Sequence, residues 1–543
     1  MSHAAVIPDL LHPIASRRLD VERTRVELTL CFAGGTGGGL FEAALERASL
    51  APSSWTPAGF ASDLFLQRFV AGCFPIRIGN SPAQAVTGHV LQLLANPPSD
   101  TEVVDFRRQV LAELDTSRDL RRELEKVYQD LQRLRALLED TATQNWDPSR
   151  RHLDILTALK DVLDRLATGF APARSGLARL HEFGSSVCAS EAYRALADLL
   201  SYDDRLATVS LNVRVGADGR IRGFEILSVE ENRENPFASP AWRRWLAKLE
   251  LFLRGYRFGD GEVMARLVDA VFSGLEDVAI ALIQLFGDVE LYLGALSFAD
   301  YARGAGLEVS LPELVAPDAP RRLEGLFNPL LLMSGVKPVP CDLRTNKFAT
   351  TVLVTGPNSG GKTRLLQAVG LSQLLAQGGL FIPARAGAVA LAPGLVVSLI
   401  QETTADQAEG RLGMELVRIR ALFEQLPPGA MVLLDELCSG TNPSEGEEIF
   451  ELVVSTLQQL QPQAFITTHF LAFAGRLARE AKIPDLTFLQ VELGEDRRAT
   501  YQFVPGVANT SLAGDTAQRL GVTGDQLQSL IEENLARFGS RCR

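Results

Sequence analysis

Lys362 and Thr363 end a glycine-rich turn, where a cation and a hydroxyl group are well suited to phosphate chemistry. Residues 356–363 read GPNSGGKT and fit the Walker A pattern G-x-x-x-x-G-K-[ST] at every fixed position. Glycines let backbone N–H groups turn towards an anion, and a following helix adds the positive end of its dipole. Lysine then contacts the phosphates, while the threonine hydroxyl ligates Mg²⁺. The pattern predicts nucleotide binding by Gly356, Pro357, Asn358, Ser359, Gly360, Gly361, Lys362 and Thr363, with Thr363 also a metal ligand.

The segments around this turn have the order that a phosphate loop requires. The β-branched run 350–355 predicts a strand, and the leucines and valine of 365–371 open a helical pattern. This order favours a phosphate loop over a plain glycine turn in some other α/β protein. A second glycine cluster, 33–39, lies between a predicted strand, Val26–Phe32, and a helical pattern at 40–50. It lacks the third glycine of a dinucleotide fingerprint and a following Lys-Ser/Thr, which favours a flexible turn.

Two further predicted strands end in polar residues that could bind Mg²⁺ and activate water beside the phosphate loop. The run 430–436 reads AMVLLDE, so an apolar strand about 70 residues after the loop ends in Asp435 and Glu436. Asp435 can hold the Mg²⁺ shell, and Glu436 can polarise the water that attacks the γ-phosphate. The strand 464–468 ends at His469, whose imidazole is expected at the same strand ends. A structural histidine is the alternative for His469.

Composition is that of an ordinary globular protein. The 543 residues are 46% hydrophobic and 22% charged, values near average usage that indicate neither a disordered chain nor a disulfide scaffold. Six scattered cysteines without C-x-x-C pairs, together with the lack of a signal peptide or a long uninterrupted apolar run, predict a cytoplasmic protein that does not span a membrane. The net charge of −12 argues against indiscriminate polyanion binding but leaves a local basic patch possible.

Helical patterns dominate the first half of the chain. Residues 101–140 predict one long helix or two collinear helices with a coiled-coil seam, and further helices are predicted at 152–167, 190–200, 241–256 and 262–301. The last run is long enough to suggest a lever. Residues 208–229 predict a β-hairpin about Gly216-Ala-Asp-Gly219. Arginines of the seam helix and the hairpin belong either to solvated surfaces or to contacts with a DNA backbone: Arg107, Arg108, Arg118, Arg121, Arg122, Arg133, Arg135, Arg214, Arg220 and Arg222.

These motifs together resemble the MutS-type ATPases of DNA mismatch repair and recombination control. The resemblance rests on TGPNSGGKT at 355–363, FIPA at 381–384, LDELCSGTNPSEG at 434–446 and TTHF at 467–470. Segments 501–506 and 511–522 look like the family's closing strand and the first helix of its C-terminal helix-turn-helix. Strong likeness covers about residues 320–538, and the upstream helices and hairpin resemble the family's core, lever and clamp.

The resemblance implies an ATP- and Mg²⁺-dependent homodimer, joined through the ATPase domain and the C-terminal helices. In the family, a signature segment of one subunit completes the partner's nucleotide site, and here it falls at Gly410 and Arg411. The usual serine and threonine after that Gly-Arg are Leu412 and Gly413, so Arg411 or backbone N–H groups are expected to substitute. Cys438 and Ser439 replace the Gly-Arg that usually follows the acidic pair, which is nearer to the subfamily that suppresses recombination.

The fold class predicted from these features is a multidomain α plus α/β protein. Its expected parts are an N-terminal α/β region at 1–98, a helical core and lever with the clamp-like hairpin at 99–319, an ABC-like P-loop ATPase domain at 320–506 and a helix-turn-helix at 507–543. About 350 residues precede the loop and no Phe-x-Glu occurs, so we expect no mismatch-recognition domain.

The expected function is that of an ATPase that acts on DNA as a nucleotide-gated dimeric clamp, without direct mismatch reading. Asn358 and His469 would orient groups around the γ-phosphate, with Lys362 and Glu436 acting in hydrolysis. One alternative is a nucleotide-switched module that binds a protein instead of DNA. A chromosome-organising or transporter-type ATPase is disfavoured because no Leu-Ser-Gly-Gly signature precedes Asp435.

Overall fold

The computed structural model describes residues 6–34, 38–78, 81–82, 85–140, 148–205, 208–215, 221–230, 260–399, 411–438, 442–509, 518 and 520–538. The chain forms two compact units. The first consists of Met1–Ser53, Val70–Phe298 and Gly378–Leu380, and the second of Ser54–Phe69, Ala299–Gln377 and Phe381–Arg543. The domain boundaries expected at 98, 319 and 506 remain predictions.

The elements up to residue 304 are mainly helical. The helices are α1 Val21–Gly34, α2 Leu40–Glu46, α3 Leu66–Cys73, α4 Thr87–Ala95, α5 Thr101–Thr116, α6 Arg118–Glu139, α7 Pro148–Gly169, α8 Ala178–Cys188, α9 Glu191–Arg205, α10 Asp260–Ser273 and α11 Glu276–Gly304. Two short strands, β1 Arg77–Ile78 and β2 Ser81–Pro82, pair with each other. A 3₁₀ turn spans Pro57–Gly59.

Residues 101–140 form two helices, one of the two arrangements predicted, and the seam lies wholly in α6. Ser117 separates α5 from α6 and caps α6 by accepting a hydrogen bond from Leu120 N–H. Every seam residue of α6 is buried: Leu120, Leu124, Val127, Leu131, Leu134 and Leu138. Their alternating steps of four and three residues keep them on one helix face, which packs against α7. The buried seam predicted from the sequence is therefore confirmed.

Arg107 is buried, so its assignment to a surface face or a DNA contact is wrong. It occupies the inner stripe of α5 together with Val103, Val104 and Val110, is only 2% exposed, and donates through Nε to the carbonyl of Leu11. Burial lowers the pKa of the Arg107 guanidinium. Other arginines of α5 and α6 pair with acids three or four residues away, as expected of a solvated face: Arg108 with Asp105, Arg121 with Glu125 and Arg135 with Glu139.

The strand predicted at Val26–Phe32 is also wrong, because these residues belong to α1. Its buried positions are Thr24, Leu28, Cys31 and Phe32, a helical spacing of four, three and one. The alternating sequence VELTL imitates a strand over five residues. Burial of one helical stripe outweighs that local alternation, as tertiary packing often does for short segments.

Helical residues 262–301 are likewise divided, between α10 and α11, by Gly274 and Leu275. Glycine is a poor helix former, which accounts for the break. Among the described helices, α11 alone is long and apolar enough to cross a bilayer, but 89% of its apolar window is buried inside the protein. That burial is typical of a helix in a protein core. The helix predicted at 241–256 lies outside the described residues.

The predicted hairpin contains two antiparallel strands, β3 Thr208–Val215 and β4 Ile221–Glu230. Their register runs from Thr208 opposite Glu230 to Val215 opposite Ile221. The turn at 216–220, with Arg220, lies outside the described residues, as do the side chains of Arg214 and Arg222. The phosphate contacts expected there remain predictions.

The second unit is built on two sheets. Its strands are β5 Glu313–Leu314, β6 Arg321–Leu326, β7 Cys341–Thr345, β8 Thr351–Thr355, β9 Ala386–Val389, β10 Leu395–Ser398, β11 Met431–Leu434, β12 Gln463–Thr467, β13 Leu486–Leu493 and β14 Ala499–Pro505. Its helices after α11 are α12 Pro329–Met333, α13 Lys362–Gln377, α14 Arg411–Gln425, α15 Pro443–Leu457, α16 Leu471–Glu480 and α17 Gly524–Phe538, with a 3₁₀ turn at Gln458–Leu460. The small sheet has the order β5-β9-β6-β7.

The large sheet has the order β10-β11-β12-β8-β13-β14, in which only β14 runs antiparallel to its neighbour. All residues of β8, β11 and β12 are buried, as expected for central strands covered on both faces. The order places β12 between β8 and β11, so the ends of these three strands lie side by side. This architecture agrees with the predicted α/β domain. The helix-turn-helix falls partly at 510–517 and 519, outside the described residues.

Candidate active site

The predicted phosphate loop joins β8 to α13. Residues 356–361 form the turn, and α13 begins at Lys362. Gly356 has a φ of 142° and Gly361 a φ of 84°, conformations that side-chain-bearing residues rarely adopt. A Cβ atom at Gly356 would lie 2.6 Å from Cγ2 of Val491, so this glycine is required by space as well as by conformation. The glycines that the motif fixes thus have a physical reason in this fold.

Lys362 lies under the loop. It is 3% exposed, and its Nζ donates to the carbonyl oxygens of Gly356 at 3.0 Å and Pro357 at 3.2 Å. Burial lowers the pKa of the Lys362 ammonium group, while the carboxylates of Glu436 and Asp435 oppose that shift. The lysine therefore braces the loop from inside and lies within the electrostatic influence of both acids.

A hydrogen-bonded chain connects the loop to the strand ends. Thr363 Oγ1 donates to Asp435 Oδ2 at 2.5 Å, and Thr467 Oγ1 donates to Asp435 Oδ1 at 2.5 Å. The hydroxyl of Thr467 also accepts from the N–H of Glu436 at 2.8 Å. The structure thus brings together Thr363, Asp435 and Glu436, three of the predicted site residues. Thr467 belongs to the TTHF segment, but no local sequence signal predicts these contacts, because they join residues far apart in the chain.

Asn358, Ser359 and His469 are more open. Asn358 and Ser359 are exposed in the loop, and His469 is exposed just beyond β12, with its ring 4.2 Å from that of Phe470. Among the described residues, the His469 side chain has no hydrogen-bond partner. All three are available to a ligand at the strand ends.

A cavity of about 620 Å³ opens beside the loop. It is lined by Asn358, Lys362, Thr363, Val339, Tyr501 and Phe503, among others. The aromatic and aliphatic side chains offer an apolar wall next to the phosphate loop, as a nucleoside requires. No local sequence pattern predicts this wall, because β14 is more than 130 residues from the loop and only the sheet brings it near.

The oxygen atoms around Asp435 fit Mg²⁺. Mg²⁺ is usually held by one or two carboxylates together with substrate phosphates and water, rather than by a cage of protein ligands. Thr363 and Asp435 offer a hydroxyl and a carboxylate at one point beneath the loop. Among the described residues, no group of three or more His, Cys, Asp or Glu could hold a metal ion.

The signature segment is only partly described. Gly410 lies outside the described residues, and Arg411 is the first residue of α14, with its side chain also outside them. The role expected for both residues remains a prediction.

Comparison with known proteins supports the family resemblance of these motifs. Residues 352–529 match the family model of MutS domain V. Relatives named Endonuclease MutS2 include one from Thermomicrobium roseum, 30% identical over 280 residues, or 48% of this chain and 34% of that protein. Another, from Streptococcus thermophilus, is 31% identical over 234 residues, or 42% of this chain and 29% of that protein. The chain thus matches about a third of the length of these curated relatives.

Proposed function

We propose, on the premise that this chain belongs to the MutS family, that it binds and hydrolyses ATP with Mg²⁺ and acts on DNA as a homodimer. The observation that carries the ATPase part is the hydrogen-bonded chain from Thr363 through Asp435 and Thr467 to the backbone of Glu436. It joins the phosphate loop to an acidic pair at the neighbouring strand ends. The relatives' name and the family likeness support the DNA part.

Hydrolysis would depend mainly on positioning and electrostatics. Mg²⁺, when bound with the nucleotide, neutralises charge on the β- and γ-phosphates. Thr363 and Asp435 would hold it, and Lys362 would leave the carbonyls of Gly356 and Pro357 to contact the phosphates. Glu436 would accept a proton from the attacking water. Loop N–H groups and the start of α13 would bind the remaining phosphate oxygens, with Asn358 and His469 orienting the γ-phosphate.

The nucleotide would lie with its phosphates on the loop and its nucleoside in the adjacent cavity. Tyr501 and Phe503 on β14, with Val339, supply the apolar wall for the base. Gly410 and Arg411 of a second subunit would complete the γ-phosphate site, with Arg411 or backbone N–H groups acting where hydroxyl groups are missing. Direct mismatch reading is not part of the proposal, because the sequence has no Phe-x-Glu.

The apolar face of α17 supports a homodimer through the C-terminal helices. Leu527, Leu530, Ile531 and Leu535 share one helix face and are 43–66% exposed. Leu530→Glu combined with Ile531→Glu should raise the dimer dissociation constant at least about 100-fold, because burying two such side chains contributes at least ~3 kcal/mol. Sedimentation equilibrium measures this constant.

Glu533→Gln, a change at another exposed position of α17, is the matched control and should leave the dimer intact. A double variant that dimerises as tightly as the wild type would contradict a dimer contact at α17.

Binding of DNA separates the two candidate functions. Fluorescence anisotropy of labelled duplex, mismatched duplex and four-way junction, measured across salt concentrations with ATP or ADP, tests the full chain. A DNA clamp should bind with a steep salt dependence, since contacts to phosphates release counterions, and its affinity should change with the nucleotide. The absence of binding to all three substrates at low salt would reject the DNA function.

The alternative is a nucleotide-switched protein that holds a protein partner. Two observations favour it: the net charge of −12 and the pairing of arginines with acids along α5 and α6. It predicts ATP hydrolysis at the same site without affinity for DNA.

A further inference from the structure

We propose that Thr467 is a positioning residue that orients both acids of the site through one hydroxyl group. The inference rests on the proposed ATPase function, which it extends by a residue to which the motif itself assigns no chemistry. Thr467 is the last residue of β12 and is fully buried. Its side chain contacts both acidic residues but is not predicted to touch the reacting atoms.

The two hydrogen bonds of Thr467 are chemically compatible. A hydroxyl group has one hydrogen to donate and two lone pairs to accept with. Thr467 Oγ1 gives its hydrogen to Asp435 Oδ1 at 2.5 Å and accepts the backbone N–H of Glu436 at 2.8 Å. One atom thereby connects the side chain of the first acid to the main chain of the second.

The first bond fixes the rotation of the Asp435 carboxylate. Oδ1 is taken up by Thr467, so Oδ2 faces the hydroxyl of Thr363 at 2.5 Å. Thr363 and Asp435 Oδ2 are the oxygen atoms that would hold Mg²⁺. Without Thr467, Oδ1 loses its hydrogen bond, and of these two contacts only that of Oδ2 with Thr363 remains to fix the rotation of the carboxylate.

The second bond holds an unusual backbone conformation at Glu436. This residue has a φ of 50°, in the left-handed region that side-chain-bearing residues seldom occupy, and Cys438 just beyond has a φ of 61°. Such conformations persist at sites where the surroundings determine them. The bond from Glu436 N–H to Thr467 supplies one such constraint on the backbone just beyond β11, and that backbone conformation determines the direction of the Glu436 side chain.

The sheet order is what makes this arrangement possible. β12 lies between β8 and β11, with Thr467 opposite Val354 of β8 and Ile466 opposite Leu434 of β11. A threonine at the end of β12 therefore lies beside the residues that follow β11. Because the bonds to Asp435 and Glu436 cross 32 and 31 residues of sequence, no local pattern reveals them.

Thr467→Val removes the hydroxyl group and keeps the side-chain shape. We expect kcat for ATP hydrolysis to fall about 10- to 100-fold, the usual effect of losing a partner that orients a metal ligand. The Mg²⁺ concentration that half-saturates binding of a fluorescent ATP analogue should rise by a similar factor, while binding without Mg²⁺ should not change. Thr467→Ser, which keeps the hydroxyl group, should restore both values to near those of the wild type.

Thr351→Val is the matched control. Thr351 is equally buried at the start of β8, and its hydroxyl has no hydrogen-bond partner among the described residues. This variant should keep wild-type turnover and Mg²⁺ dependence. Thr467→Ala is a second test, because alanine, unlike valine, places no methyl group against the Asp435 carboxylate. Circular dichroism checks that each variant is folded.

The outcomes separate this inference from the proposed function. Loss in the valine and alanine variants with rescue by serine supports the positioning role. Normal Mg²⁺ dependence in Thr467→Val, or equal loss in the serine and valine variants, overturns it. A wild-type protein that binds ATP but does not hydrolyse it refutes the ATPase proposal, whereas the Mg²⁺ titration of binding still tests Thr467.

Discussion

Replacing Glu436 by glutamine is expected to leave ATP binding intact and to lower turnover at least about 100-fold. A positioned general base contributes roughly 10²- to 10⁴-fold to such a reaction, and the amide of glutamine cannot accept the proton from water. The change keeps the size of the side chain and the backbone N–H that bonds to Thr467. Equilibrium binding of a fluorescent ATP analogue and steady-state phosphate release measure the two properties.

Glu448→Gln provides the charge-matched control for this experiment. Glu448 is an exposed residue of α15, so its replacement removes the same charge and should leave turnover unchanged. Wild-type turnover in Glu436→Gln would remove Glu436 from the mechanism. Loss of ATP binding in that variant would instead assign it a role in holding the nucleotide.

Replacing Lys362 by alanine is expected to weaken nucleotide binding and to lower turnover about 100- to 1000-fold, as happens when a charge-stabilising group is removed from an active site. In the proposed mechanism, Lys362 would be the cation that the loop provides to the phosphates. It also braces the loop through the carbonyls of Gly356 and Pro357. Loss of the cation and loss of the brace both weaken nucleotide binding. The affinity for ATP should therefore fall in this variant, whereas it should not change in Glu436→Gln.

Isothermal titration with ATP and phosphate release test this prediction. Lys482→Ala is the control, since Lys482 is an exposed lysine that pairs with Glu480 near the end of α16. Its loss should not affect either measurement. Retained affinity and turnover in Lys362→Ala would contradict the assignment of residues 356–363 as the phosphate loop.

Together the two variants separate nucleotide binding from hydrolysis. Glu436→Gln should give a protein that binds ATP and holds it, and Lys362→Ala one that binds it poorly. If DNA affinity depends on bound ATP, the first variant should retain the response to ATP and the second should lose it. This comparison links hydrolysis to the proposed clamp without relying on turnover alone.

In the helical half of the chain, patterns that extend over many turns predicted structure well, and short ones did not. The α6 seam was readable because six apolar residues repeat at helical spacing, and all six are buried. By contrast, Val26–Phe32 alternates over too few residues to distinguish a strand from a helix. Arg107 shows why the burial of a charged residue is hard to predict. The sequence shows that the residue is charged, but not that it lies on the buried face of α5.

The sequence by itself determined the chemical groups of the site and the local elements that carry them. The glycines, Lys362 and Thr363 are adjacent along the chain, so their turn and helix start follow from local geometry. The acidic pair and His469 each follow a short apolar strand, which composition alone predicts.

Only the tertiary structure decided how these groups meet. Insertion of β12 between β8 and β11 aligns Thr467 with Asp435 and Glu436, and β14 brings Tyr501 to the cavity beside the loop. The physical reason is that strand order depends on pairings between residues far apart in sequence. Such pairings leave no local periodicity, so contacts such as those of Thr467 emerge only when the sheet is assembled.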